Sequence, residues 1–385
     1  MVLKLSKSQQ AFFSLVRAGL WEKESALSSI GNIDFREVYR IAGEQSVIGL
    51  IAAGIEHVKD IDVPKEDVLT FAGAALQLEQ MNFSMNAFIE VLIQRMRKAG
   101  IDAILLVKGQ GIAQCYEKPL WRACGDIDLM LSGTDYEKAK QWFGSLGSVV
   151  LEENKYRRRI EYAIDSWNVE LHGTMRGDIK DSIDRVIDET QTDVFMGGNV
   201  RSWDNNITTV FLPSVDNDVI FIFTHIIQHF FKEGIGLRQI CDWCRLLWTY
   251  RSEIDVVLLE KRLRSAKIMT EWRAFAAFAV DWLGMPVEAM PLYDSSRRWS
   301  RKAERILGYV LEVGNFGHNR DKGYKKTSTF AKRMMISFCH RVHDLRRQIC
   351  VFPIDALIAF GGLMKTGLAF SWKRLMYGTK GISYC

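Results

Sequence analysis

Between Ile101 and Leu131 the chain reads IDAILLVKGQGIAQCYEKPLWRACGDIDLML, and this run constrains the fold more than any other segment. Ile104-Leu105-Leu106-Val107 is a short apolar strand that ends in a Gly-rich turn, Lys108-Gly109-Gln110-Gly111. Gly111 to Tyr116 suits a turn of helix, and Pro119 stops it. A second apolar strand, Ile127 with Leu129 to Leu131, carries Asp126 and Asp128. Strand side chains alternate with a period of two, so these carboxylates project to the same side. Paired strand carboxylates beside a Gly-rich turn can hold a divalent cation against phosphate groups. A Gly-x-Gly turn or an Asp-Ile-Asp strand alone is unspecific. Their combination after a buried strand places every part at one sheet edge, which points to phosphoryl or nucleotidyl transfer.

At 385 residues the chain is long enough for a developed core and for two packed units. Its 48% hydrophobic and 25% charged content fits a folded soluble protein. The formal charge of +5 is too small to demand a nucleic-acid partner, and no RNA-binding module is evident. Basic residues gather at Arg157-Arg158-Arg159, Arg297-Arg298, Arg301-Lys302 and toward the C-terminus. Such patches suit phosphates or an anionic surface, and for most of them a solvated surface is the simpler reading. The seven cysteines show no regular spacing and give no disulfide framework. Cys241-Asp-Trp-Cys244 has redox-like spacing but lies in a helical pattern, and no second pair completes a zinc site. The N-terminal stretch lacks a signal-peptide h-region, and no apolar run reaches the ~18 residues of a spanning helix. The expectation is a cytoplasmic protein. One reservation concerns His340 to Arg374, which suits an amphipathic interfacial element making peripheral membrane contact. Pro353 and Gly361-Gly362 interrupt it, and docking on a helical core is its other reading.

Three regions follow from the changes of period. Residues 1–100 read as helical, with Pro64 in a first helical turn after Asp62 and Gly100 closing a long helix. Residues 101–213 hold most of the strands: Val149-Val150, Tyr156 to Ile164, Asn168 to His172 and Ile207 to Phe211 join the two already named. A helix is predicted from Asp178 to Ile187. Residues 214–385 are helical again, with a Gly-rich charged loop over 314–326. The fold class is α+β: a mixed-sheet core with helices, flanked by N- and C-terminal helical regions.

The segments LLVKGQGIA, RACGDIDLML and VELHG resemble the nucleotidyltransferase superfamily, whose folds share the DNA polymerase beta palm topology. FIFTHIIQHF and GLRQICDW extend the likeness more weakly, and the chain looks most like an uncharacterised bacterial branch. The resemblance implies a Gly followed by Gly or Ser, an Asp-hydrophobic-Asp strand, and a third carboxylate on a later strand. Gly109 fits the first position, but Gln110 replaces the small or hydroxyl residue, and the interval to Asp126 is longer than usual. Asp126 and Asp128 match the metal pair, Glu170 is the best match for the third carboxylate, and Asp165 is the fallback.

The implied reaction transfers a nucleotidyl group from an NTP to a hydroxyl, using two Mg²⁺ ions about 4 Å apart. Asp126, Asp128 and Glu170 would hold these ions. Lys108, Gly109, Gln110, Gly111 and Arg122 would bind the nucleotide, with Arg122 favoured over Lys108 for the outer phosphates. His172 shares the face of Glu170 and is read either as a substrate contact or as a structural histidine. Arg157 and Arg159 fall on one strand face, Arg158 on the other. His225 and His229 share a helix face that either packs on the α/β unit or lines the cleft. Arg238 and Asp242, one helical turn apart, are expected to pair, with an anion contact by Arg238 as the other reading, and Trp121 is read as packing or as a wall for a base or sugar. The acceptor is expected to be a small molecule such as a sugar or sugar phosphate. The alternatives are a catalytically degenerate binding or membrane-associated protein, and a toxin-like transferase acting on tRNA or protein.

Overall fold

A mixed five-stranded sheet in the order β1-β2-β5-β4-β3 forms the centre of the computed structural model, which describes residues 4–317 and 330–377. Its strands are β1 (Ile104–Val107), β2 (Ile127–Leu131), β3 (Ser148–Asn154), β4 (Arg159–Ile164) and β5 (Trp167–His172). Only the β2–β5 pairing is parallel; β1–β2, β5–β4 and β4–β3 are antiparallel. Every residue of β1 and β2 is buried, the carboxylate of Asp128 among otherwise apolar side chains. Strand β3 is the exposed edge. A hairpin of β6 (Val200–Asn205) and β7 (Thr208–Pro213) packs beside β1.

Helices cover both faces of the sheet. Ahead of it come α1 (Lys7–Trp21), α2 (Phe35–Glu44), α3 (Ile48–Glu56) and the long α4 (Lys65–Lys98). Ser6 and Gln9 form a capping box on α1, and Asp34 caps α2 by accepting from the backbone amides of Arg36 and Glu37. Helices α1 and α3 approach backbone to backbone. A Cβ on Gly54 would lie 2.1 Å from the Leu15 carbonyl oxygen, so only glycine fits. Within and after the sheet come α5 (Gly109–Ala113), α6 (Gly133–Leu146), α7 (Asp181–Gly197), α8 (Val215–Lys232) and α9 (Leu237–Thr249). The chain continues through α10 (Val256–Ser265), α11 (Met269–Leu283), α12 (Arg297–Val313), α13 (Phe330–Ile349) and α14 (Pro353–Tyr377).

The period-two rule sorts the sheet residues between two cores. Ile104, Leu106, Leu129, Leu131, Val169 and Leu171 pack with α4 and α6 residues such as Ile89 and Phe143. Leu105, Val107 and Met130 face the other way, into a core shared by Phe12, Ile51, Ile220, Trp243, Trp272 and Phe275. Residues 1–100 and 214–385 therefore contribute to one hydrophobic core. Asp128 has the parity of Met130, and Glu170 that of His172, so the polar strand residues lie on the side covered by α8 and α9.

Several local expectations are corrected. Pro64 is the residue before α4 rather than part of its first turn. Tyr156 lies in a turn, because Asn154 Oδ1 accepts from the Tyr156 and Arg157 amides and delays β4 to Arg159. The helix expected at Asp178 starts at Asp181 and runs on to Gly197. Pro353 opens α14, where its missing amide costs nothing, and α14 continues through Gly361-Gly362. No described helix is long and apolar enough to cross a membrane. Of the loop expected at 314–326, Asn315–Gly317 is a 3₁₀ turn and residues from 318 lie outside the described ones.

Candidate metal and phosphate site

Strand register brings the acidic residues together. Asp128 on β2 pairs with Glu170 on β5, and Glu170 pairs in turn with Glu161 on β4. His172 follows Glu170 by two residues and so shares its face. Asp128 and Glu170 are 3% and 6% exposed, which makes their charge state decisive. His172 Nε2 lies 2.7 Å from Asp128 Oδ1 and 3.3 Å from Glu170 Oε2. Lys108 Nζ donates to Asp128 Oδ1 at 2.8 Å, and Arg159 pairs with Glu170.

Lys108 holds a φ of +57°, a conformation that costs a non-glycine residue on the order of 1 kcal/mol. Gly109 follows at φ +39°, and a Cβ there would come within 3.3 Å of Cys124 Sγ. The turn thus bends sharply beneath the acidic strand. Burial opposes charge on both Lys108 and Asp128, but each outweighs that penalty through the other. Asp128 is held well below the usual carboxylate range by Lys108 and His172, and Lys108 is raised by Asp128, Glu170 and Asp126. Asp126 shifts the opposite way. Burial, then Asp128 and Glu170, push its carboxyl up. Burial and Glu170 do the same to Glu161.

One ligand atom from each of Asp128, Glu170 and His172 lies within 4.8 Å of the other two. Two carboxylate oxygens and an imidazole nitrogen converging this closely fit one divalent cation. Of the three carboxylates expected to hold metal, Asp128 and Glu170 join this candidate three-ligand set and Asp126 does not. His172, expected as a substrate contact or structural histidine, belongs to it, while Asp126 stands beside it on the cleft wall.

The cleft over this set has a cavity volume of about 130 Å³ and opens to solvent. Lys108, Gly109, Arg122, Asp126, Arg157, Arg159, His225 and His229 line it. Arg158 points elsewhere, over the Tyr136 ring and onto Glu137. His225 and His229 take the cleft-lining one of their two readings.

Three expected nucleotide ligands are redirected. Gln110 is buried against α4, where its Nε2 donates to Asn82 Oδ1 at 2.7 Å. Asn82 in turn donates to the carbonyls of Leu120 and Arg122, so Gln110 braces the loop rather than the phosphates. Gly111 packs against β7: a Cβ would meet Leu212 at 2.9 Å. Arg122 closes a buried bidentate pair with Asp242, Nη2 to Oδ2 at 2.6 Å and Nε to Oδ1 at 3.0 Å. Tyr116 also donates to Asp242, so Asp242, expected to pair with Arg238, holds Arg122 and Tyr116 by direct hydrogen bonds. Asp165 is an exposed turn residue at the far end of β5. Trp121 sits beside Lys118 and donates to Glu79 at the loop edge. Cys241 and Cys244 are buried thiols whose ionisation burial strongly opposes.

Sequence reasoning missed Glu161 and Glu233, and it ranked the anion contact of Arg238 below a structural pairing. Arg238 lines the cleft, donates to the Ala123 carbonyl at 2.9 Å, and has its proton affinity lowered by burial and by Arg122. Glu161 was visible only as one polar residue in β4; its importance comes from register. Glu233 follows His229 by four residues, a spacing that marks one helix face.

A palm-like mixed sheet, carboxylates on adjacent strands, a bent glycine turn and arginines around one cleft define a nucleotidyltransferase-type fold with a candidate metal site. The profile of the family described as uncharacterised nucleotidyltransferase matches residues 31–284, more than half of the chain, and the chain belongs to that family. The match runs from just before α2 to the end of α11, so the covering helices belong to the family's unit as much as the sheet does. Neither the curated proteins nor the solved structures contain a match.

Proposed function

We propose that the protein transfers a nucleotidyl group from an NTP to a hydroxyl of a small-molecule acceptor, using a divalent cation. The observation that carries this reading is the Asp128–Glu170 register with His172, set beside the Lys108-Gly109 turn in one cleft. Asp128, Glu170 and His172 would hold the ion, Mg²⁺ or Mn²⁺ by donor type. When bound, the ion supplies charge neutralisation at the phosphates. Lys108 offers a point charge, and Arg238 and Arg157 offer directional N–H donors to phosphate oxygens. Gly109 lets the triphosphate approach the backbone.

Calorimetric titration of the full chain with ATP, CTP, GTP and UTP, with and without Mg²⁺ or Mn²⁺, tests the reading. Cation-dependent binding of one nucleotide, lost in Asp128→Asn, supports it. Cation-independent binding, or none by a folded wild type, defeats it.

A further inference from the structure

His225 and His229 on α8 and Glu233, the residue capping that helix, form a chain that the metal and phosphate roles leave unused. His225 Nε2 and His229 Nε2 lie 2.9 Å apart with their rings edge to face, and all three residues line the cleft. His229 Nδ1 lies 3.0 Å from Glu233 Oε2, though off the ideal hydrogen-bond direction. Resting on the nucleotidyl-transfer reading, the geometry points to His225, His229 and Glu233 as the relay that receives the proton of the acceptor hydroxyl.

The direction of the relay follows from donor and acceptor inventory. An ionised carboxylate only accepts, so His229 Nδ1 carries a hydrogen toward Glu233. Neutral His229 then offers a lone pair at Nε2. The 2.9 Å contact needs one hydrogen, so His225 Nε2 supplies it. Neutral His225 is left with its lone pair on Nδ1, a base at the cleft wall.

His225 is a poor place to keep a proton. Burial, Lys108 and His229 hold its proton affinity well below the usual histidine range, and Arg159 adds to them against Asp128. The far end of the chain has the opposite character. Burial disfavours charge on Glu233, but His229, Arg157 and Arg159 outweigh it and keep the carboxylate ionised. A proton taken up at His225 Nδ1 is therefore matched by transfer of the Nε2 hydrogen to His229, where Glu233 faces the new imidazolium. The acceptor oxygen forms its bond to the α-phosphorus, the bond to pyrophosphate breaks, and its electron pair leaves with pyrophosphate. One proton moves from the hydroxyl to His229, and no other reagent is required.

The test compares wild type with His225→Gln and Glu233→Gln in the full chain. Pyrophosphate release to water is followed with the NTP that binds by calorimetry, alongside ¹⁵N-histidine spectra of the nucleotide-free protein. His225→Gln should keep nucleotide affinity within about twofold and lose on the order of 10²–10⁴ in rate. Glu233→Gln should move the acid limb of the pH–rate profile to lower pH, because His229 loses its carboxylate. At neutral pH the spectra should show hydrogen on His225 Nε2 and on His229 Nδ1. A full rate in His225→Gln, an unmoved acid limb, or a neutral His225 with hydrogen on Nδ1 overturns the relay. If wild type binds no nucleotide, the transfer reading fails and the proposal falls with it. The tautomer spectra separate that failure from a histidine chain wired the other way.

Discussion

Two charged assemblies share this cleft and are built on opposite terms. Arg122 and Asp242 close on each other, bidentate and buried, with Tyr116 and the Ala123 carbonyl satisfying further positions. Asp126, Asp128, Glu170 and Glu161 crowd across adjacent strands with Lys108, Arg159 and His172 shared among them. In the first, each charge has its own partner. In the second, Asp126 and Glu161 are pushed up while Asp128 is pulled down, so the acids compete for the same cations. A satisfied buried pair ties α9 to the loop before β2. An acid surplus on a rigid sheet is built to receive something, and perturbed groups concentrated in a cleft carry that meaning.

Substitutions can break this contrast. Asp128→Asn should cost little stability, since Asp126 and Glu170 remain beside Lys108, yet lower Mn²⁺ affinity by at least about 10³-fold, or about 4 kcal/mol. Calorimetry with parallel thermal unfolding checks both halves, and a large stability loss would make the acidic cluster structural. Arg122→Ala should behave in reverse, destabilising by about 3–5 kcal/mol because Asp242 is left buried without its partner. Urea unfolding measures it, and a loss below about 1 kcal/mol would show that the pair is not closed in solution.

Smaller effects sharpen the comparison. Gly111→Ala should destabilise by about 1–3 kcal/mol through its clash with Leu212, without the loss of nucleotide affinity that a phosphate-binding glycine would show. Far from the cleft, Glu271 on α11 is 1% exposed and pushed to about 8 by burial and by Asp355 on α14. Its folded value lies above its ordinary 4.5, so the native chain keeps a proton that the unfolded chain has lost. Stability from this group is therefore full below about 4.5, falls as pH rises to about 8, and levels beyond. Glu271→Gln should flatten that slope by roughly 1 kcal/mol per pH unit. An unchanged pH dependence of urea unfolding would place the titration elsewhere.

Much of this arrangement was legible along the chain. The apolar runs of β1, β2 and β5, the change of period around them and the glycine turn are local signals, and local sterics enforce them. Parity placed His172 with Glu170, whereas Arg157 and Arg158 owe their different directions to the turn before β4. Strand β6 was missed because VRSWDN alternates weakly and gains its identity only from pairing with β7. Gln110 and Gly111 were misdirected because a Gly-rich turn looks the same whether it cradles phosphate or packs on a helix and a hairpin. Arg122 was misassigned because its partner lies 120 residues away on α9.

The sequence by itself determined the strand–turn–strand unit, the side on which its carboxylates project and the helical character of both flanks. These follow from backbone geometry acting over a few residues. Only the tertiary structure decided which cation answers which acid, that His172 rather than Asp126 completes the three-ligand set, and that α8 and its C-cap present His225, His229 and Glu233 to the cleft. Those outcomes depend on cross-strand register and on helices arriving from distant parts of the chain. A buried charge takes its meaning from the partners that packing brings within about 4 Å of it.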